Sequence, residues 1–342
     1  MNTSSKNAEA GVGAAVLLAV AVCWGLTFFS TKSLLDRLPV TDFLAVRFGA
    51  AVILLIAIAP KALHMSRRVF VRGAVLGVVF AGAQLTQTFG LPHTSASVSG
   101  FITGLYVVFT PLLGAVLFKL RPRAIVWAAV LLATAGLAIL SMRLGGGALL
   151  GVGEWLTLAC AVLWGLQIVL IGRWAHPDDV MGLTIVQTGV AALIFLAGGL
   201  RDGLTWPSGG ADWAWMAYFA IVVGAGAEFA QIWAQTRVEA SKAAVLMVTE
   251  PLWAAVFAVL FGGETITWRL LAGGALMVAA MLLAVRADEP GQSGENRQQE
   301  ETRQAEANRQ SAATKAGVSP AKTVAPAGAS VETRARPIGP NS

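Results

Sequence analysis

Repeated apolar stretches, each about as long as a bilayer is thick and set apart by short polar turns, restrict this chain more than any other feature. Crossing the hydrocarbon core takes about 20 mostly apolar residues in a helix. Ten segments qualify, at about 12–31, 42–60, 70–90, 95–118, 124–141, 151–172, 180–199, 213–236, 242–261 and 268–286. Inside lipid, backbone polar groups are satisfied only within a helix or a closed barrel. The expected fold class is therefore an all-α polytopic membrane protein with ten transmembrane helices. Turn signals fall where water-facing connections belong, among them Leu38-Pro39, Gly145-Gly146-Gly147, His176-Pro177-Asp178-Asp179 and Trp206-Pro207-Ser208-Gly209-Gly210. Only 13% of the residues are charged and the mean hydropathy is +0.68, whereas a soluble domain carries about 25% charged residues.

Charge orients these segments. The net charge of +6 comes without a basic patch interleaved with aromatics, which argues against nucleic acid as a partner. Ten spans put both termini on one side. With that side cytoplasmic, the inner ends hold Lys61, Arg67, Arg68, Arg72, Lys119, Arg121, Arg123, Arg173, Arg237, Lys242 and Arg286. The outer ends hold Lys32, Arg37, Arg143, Arg201 and Arg269. Because cytoplasmic loops carry the Lys/Arg excess, both termini are expected in the cytoplasm of a cell-inner-membrane protein, with Trp206, Trp213 and Trp215 in the outer aromatic belt. The two cysteines, Cys23 and Cys160, lie deep in apolar segments and suggest neither a disulfide framework nor a zinc cluster. The first apolar stretch outruns a signal-peptide core, so it is expected to stay as a span. Residues 287–342 are rich in Glu, Gln, Arg, Ala and Pro and predict a disordered cytoplasmic tail.

The spans repeat. Trp24-Gly25-Leu26 in the first recurs 140 residues later as Trp164-Gly165-Leu166, and the same offset maps Thr110-Pro111-Leu112 onto Glu250-Pro251-Leu252 and Arg47 onto Gln187. At an offset of 144, Ala81-Gly82-Ala83-Gln84 with Gln87 matches Ala225-Gly226-Ala227-Glu228 with Gln231, and Ser97 matches Ser241. Several matches in one order make duplication the best account. Each copy has five spans, so the second enters the membrane upside down. The expected organisation is a cytoplasmic segment at 1–11, one five-span repeat at 12–142, its inverted copy at 151–286, and the tail. Inverted repeats are a plan of carriers, with the substrate site near midplane between the halves.

These landmarks resemble the EamA-like branch of the drug/metabolite transporter superfamily. Its pattern is matched by Trp24, Gly25, Phe28 and Lys32 of span one, Arg47 of span two, the stretch from Thr94 to Pro111, then Thr249-Glu250-Pro251 and Gly263-Glu264. The resemblance covers about residues 12–286. Two departures stand out: the first-half counterpart of Gly-Glu reads Lys119-Leu120-Arg121-Pro122, and Glu228 and Gln231 add polarity to span eight. The resemblance implies export of a small metabolite or drug-like solute, by facilitated diffusion or in exchange for protons, without a cofactor.

Ionisable groups at membrane depth normally face the protein interior or a water-filled cavity. Glu228 and Glu250 therefore lead the candidate site, as proton or substrate ligands or as buried fasteners between helices. Gln84 with Gln87, and Glu228 with Gln231, each share a helix face and line a common cavity or join helices by hydrogen bonds. Arg47, opposite Gln187, is a carboxylate-binding cation or the partner of a glutamate. Lys32 snorkels to the outer boundary or gates it. Trp24 is a pocket wall, and Pro111 and Pro251 are bending points. Gly145-Gly146-Gly147 lacks the Lys-Ser/Thr of a phosphate loop. An intramembrane enzyme needs a His pair, a Ser-His or a paired-Asp site at depth, but every His and Asp falls in a loop or tail. A receptor or scaffold would leave the matched polar residues unexplained. A secondary transporter by alternating access is the expectation.

Overall fold

A computed structural model describes residues 3–117, 124–141, 150–200, 203–237 and 246–285, with side chains from residue 11. All of these belong to one compact unit, Met1–Glu289. The expected tail, the triple glycine and several of the charges used for orientation lie outside the described residues.

The described secondary structure is entirely helical. Eight helices are long and apolar enough to cross a membrane: Gly11–Leu35, Val40–Ile58, Arg67–His93, Ala96–Leu117, Val152–Trp174, Pro177–Gly199, Gly210–Gln235 and Trp268–Val285. Two shorter apolar helices, Ala124–Leu140 and Glu250–Phe261, occupy the places of spans five and nine. Serines start two of the helices, since Ser66 Oγ accepts from Val69 N and Ser95 Oγ from Val98 N.

Three spans depart from plain α-helix. Span four breaks at Leu105, between helices Ala96–Gly104 and Tyr106–Leu117. Pro111 lies inside the second of these helices, past the break. In span nine the described helix begins at Glu250, so Pro251 occupies its first turn. There the missing N–H costs nothing, because first-turn amides have no partner within the helix. Span eight carries a π-helical stretch, Tyr218–Ala227, just before Glu228.

Packing follows the repeat. Span one packs on span nine and span six on span four; span three packs on span six and span eight on span one; span two packs on span eight and span seven on span three. Each pairing maps onto the next when the halves are exchanged. Spans two and seven, and spans four and nine, map onto themselves and flank the pseudo-twofold axis. The halves are also inverted. Lys32 Nζ, at the end of span one, donates to Thr94 O at 2.5 Å, and Thr94 Oγ1 donates at 3.1 Å to Oε1 of Glu154, in the first turn of span six. Span one thus ends where its copy begins. This is called the Lys32 end. At the opposite, Arg72 end, Arg72 Nη1 donates to Trp174 O at 3.2 Å, joining the start of span three to the end of span six.

Small residues allow these crossings, as helix packing in lipid requires. A Cβ at Gly25 would sit 2.5 Å from Trp253 Cβ and 2.9 Å from Ala254 N; one at Gly165, its repeat mate, would sit 3.1 Å from Phe109 Cβ. Gly100 meets Ala254 and Gly104 meets Pro251 in the same way, so the broken spans cross in near contact. The Trp-Gly pair of each half therefore has a division of labour: the glycine admits the partner helix, and the tryptophan points to the centre.

A valine at Gly25 has to push span one off span nine. We expect Gly25→Val to cost about 1–3 kcal/mol, as overpacking does, read as a lower melting temperature of the detergent-purified protein. Gly114→Ala, where nothing lies within 4 Å, should melt like the wild type.

Candidate functional site

Trp24 and Trp164, equivalent residues of the two halves, meet each other with ring centroids 5.7 Å apart. Phe80 stands edge-on to Trp164 at 5.5 Å, and Phe48 edge-on to Phe80 at 5.2 Å. At the end of this aromatic file the Arg47 guanidinium lies 4.5 Å from the centre of the Phe48 ring and 4.9 Å from that of Phe219. Arg47 is buried, with Nε unpaired. Aromatic faces attract a cation, and these rings, with the nearby Glu228 carboxyl group, hold Arg47 at depth.

Beside this file lies a narrow cavity of about 40 Å³. Trp24, Trp164, Phe28 and Ile168 give it apolar walls. Its polar lining comes from Thr27, Thr31, Arg47, Gln84, Gln87, Thr88, Thr103, Tyr106, Gln231 and Glu250. Thr31, Thr88 and Leu91 lie near the ends of spans one and three, so the cavity runs toward the Lys32 end. Tyr106 begins the helix that follows the break in span four, and its hydroxyl donates to Glu250 Oε2 at 3.1 Å. Glu250 opens the described helix of span nine. The two broken spans thus place a carboxylate and a phenol together at the cavity. Gln87 Nε2 donates to Thr103 Oγ1 at 3.2 Å, tying span three to span four.

Of the residues singled out from sequence, Trp24, Arg47, Gln84, Gln87, Gln231 and Glu250 are brought together here. Glu228 and Gln187 are not among the lining residues; both are fully buried, and their side-chain polar atoms have no partner. Tyr106, Thr27, Thr103, Met247 and Trp164 also line the cavity without having been singled out for it. For Trp164 the signal was available, because it falls within the repeated Trp-Gly-Leu block; Thr27 follows that block, but its mate is Gln167. Tyr106 lies in an apolar run, and only the break in span four turns it toward Glu250.

At the Lys32 end a second, open hollow of about 410 Å³ is lined by Lys32, His93, Thr94, Ser95, Ser141 and Glu154, among others. Here the chain ties its halves together with polar contacts. Glu264 accepts from Ala96 N at 2.6 Å and Ser97 N at 3.3 Å, capping the start of span four from the connection between spans nine and ten. Gly263 has φ +67°, a left-handed turn that glycine adopts without a steric penalty and that lets Glu264 reach back. The Gly-Glu element therefore works as a cap across the repeat boundary. Arg37 pairs with Asp212 at 2.7 Å, and Asp42 Oδ2 accepts from Thr205 N at 2.9 Å.

Comparisons with known proteins agree with this architecture. The model of the EamA-like transporter family matches residues 11–142 and again 151–286. An uncharacterized transporter of Archaeoglobus fulgidus is 27% identical over 272 residues, covering 78% of this chain and 83% of that protein. The uncharacterized transporter YvbV of Bacillus subtilis is 26% identical over 295 residues, covering 79% of this chain and 90% of that protein. The crystal structure of another protein shares the fold with a TM-score of 0.59 at 20% identity, covering 82% of this chain and 98% of that one.

The cap has a measurable weight. Glu264→Ala leaves two first-turn amides of span four without their acceptor, and we expect a loss of about 0.5–2 kcal/mol, seen as a lower melting temperature. Glu264→Gln keeps one acceptor oxygen and should lose less.

Proposed function

The chain belongs to the EamA-like transporter family, and from that premise we propose that it is a secondary transporter that exports a small organic solute from the cytoplasm by alternating access, in exchange for protons. The observation that carries this is the cavity on the pseudo-twofold axis, where the Trp24–Trp164 pair meets a carboxylate held by Tyr106. Aromatic walls suit an apolar or ring-bearing part of the solute. Glu250, the glutamines and Arg47 suit its polar groups, and no cofactor is needed.

Size bears on the cycle. A water needs about 10–15 Å³ of such space, so the cavity holds about three waters, whereas drug-sized ligands occupy pockets of about 300–1,000 Å³. Loading a solute has to part the lining helices. Spans four and nine are the natural place for that movement, since span four breaks at Leu105 and the described helix of span nine starts at Glu250, both beside the site. We place the Arg72 end in the cytoplasm of a cell inner membrane, following the Lys/Arg excess there. In this orientation Lys32 and Glu154 stand at the exit. Proton exchange follows from competition: a proton and the solute both use the Glu250 carboxylate, so loading one releases the other.

The test begins with a toxicity and export screen of metabolites and drugs in cells overproducing the protein, with Trp24→Ala as control. A solute found there is then followed in proteoliposomes. We expect a pH gradient, acid on the exit side, to drive its movement at least tenfold above a collapsed gradient, and Glu250→Gln to abolish that acceleration while leaving slow downhill flux. Wild-type flux that ignores the gradient and survives Glu250→Gln unchanged would overturn proton exchange through this residue.

A further inference from the structure

The Tyr106 hydroxyl has one proton to donate and two acceptors within reach. Glu250 Oε2 lies 3.1 Å from it and Met247 O 3.4 Å. All three residues are buried. The second acceptor has a physical reason. In an unbroken helix the carbonyl of residue 247 takes the amide of residue 251, and Pro251 has no amide hydrogen to give. The turn before Glu250 closes on the preceding carbonyl instead, since Thr249 N and Thr249 Oγ1 both donate to Leu246 O. Tyr106 therefore reaches from the break in span four to the start of the described helix of span nine, and meets there both a carboxylate and the carbonyl that the proline leaves over.

The duplication does not account for this arrangement. At the 140-residue offset Tyr106 maps onto Leu246, which has no hydroxyl, and Glu250 onto Thr110, whose hydroxyl closes on its own helix at Tyr106 O, 2.7 Å away. A hydroxyl shared between a carboxyl group and a proline-freed carbonyl belongs to one crossing of the two halves and has no mirror image.

From this geometry we infer that Tyr106 is a positioning residue that changes acceptor with the protonation of Glu250. While the carboxylate is ionised the hydroxyl donates to it, because a hydrogen bond to an ionised group is about twice as strong as a neutral one. When Glu250 takes a proton, its own O–H donates to Tyr106 Oη, and the tyrosine proton turns to Met247 O. No proton leaves the tyrosine. The state of the carboxyl group is thereby passed to the backbone that leads into span nine, where spans four and nine cross at Gly104 and Pro251. Among the described residues, the ionisable groups that act on Glu250 directly are Tyr106 and, from span six, Cys160. Arg47 of span two lines the same cavity, to which spans one, three and eight bring neutral groups, and Glu228 acts on Arg47. Of all these, Tyr106 is the one in hydrogen-bonding contact with both the carboxyl group and the backbone.

The inference rests on Glu250 being the proton-exchanging group, and its test keeps the two apart by using the proton itself as the probe. The full chain is titrated in lipid while its infrared spectrum is recorded, and the carbonyl stretch of the protonated carboxyl group is assigned to Glu250 by its loss in Glu250→Gln. Removing a donor that favours the ionised form lets the carboxyl group keep its proton to higher pH. We expect Tyr106→Phe to move the midpoint of that band up by about one pH unit, the roughly tenfold change that one lost charge-assisted hydrogen bond gives. Pro251→Ala returns an amide to Met247 O and competes for the acceptor that Tyr106 uses once Glu250 is protonated, so it should move the midpoint down. With Tyr106→Phe already in place, Pro251→Ala should move it no further; a purely structural role for either residue gives no such opposed and dependent shifts. A midpoint unmoved by Tyr106→Phe, or one that Pro251→Ala still lowers in the Tyr106→Phe background, overturns the switch and leaves proton exchange through Glu250 standing. Should Tyr106→Phe fail to fold, the direction of the Pro251→Ala shift decides. Absence of any Glu250 band across the titration overturns the switch and the exchange together, whereas solute flux that ignores a pH gradient while the midpoints shift as stated counts against exchange and supports the switch.

Discussion

In lipid a polar group that finds no partner inside the protein finds none at all, and this transporter nevertheless keeps such groups at its centre. The whole arrangement follows from that constraint. Helices close their own backbone hydrogen bonds. Glycines at the crossings of spans one with nine and four with nine bring backbones near enough for dispersion to hold them together without a hydrophobic drive. The polar side chains are then gathered along the pseudo-twofold axis, where aromatic faces and the nearby Glu228 carboxyl group support Arg47. Lying over rings rather than in a hydrogen-bonded ion pair, Arg47 keeps an unpaired Nε.

Much of this was legible before any coordinates, because membrane crossing leaves a length signal and duplication leaves a spacing signal. The ten segments, the odd number per half and hence the inversion follow from apolar run lengths and the 140-residue offset alone. Trp24, Gln84, Gln87 and Glu250 could be picked out as rare residue types at depth, and they do meet at one cavity. What could not be read was facing. Glu228 and Gln231 share a helix face by spacing, yet only Gln231 borders the cavity. A three-residue separation fixes which side chains lie together, not which neighbour they meet, and the π-helical stretch before Glu228 alters the register by which span eight presents them. Tyr106 was hidden for a related reason. Its partner Glu250 lies 144 residues away, and only the break at Leu105 brings the two within 3.1 Å.

The departure of the first-half Lys119-Leu120-Arg121-Pro122 from the Gly-Glu pattern bears on the same symmetry. Glu264 caps span four at the Lys32 end, and nothing in the first half offers a carboxylate at the equivalent place. The Lys32–Thr94–Glu154 chain is one-sided too: at the repeat offset Lys32 maps onto Gly172 and Glu154 onto Ala14, neither of which has a polar side chain. An exact inverted repeat would make its two end states equal in energy. These charge-assisted hydrogen bonds, each worth about 1.5–3 kcal/mol, tie the halves together at the Lys32 end, and the equivalent positions cannot reproduce them at the other end. The two ends of the molecule are therefore fastened unequally by construction, and the duplication is symmetric in its helix packing but not in its polar ties.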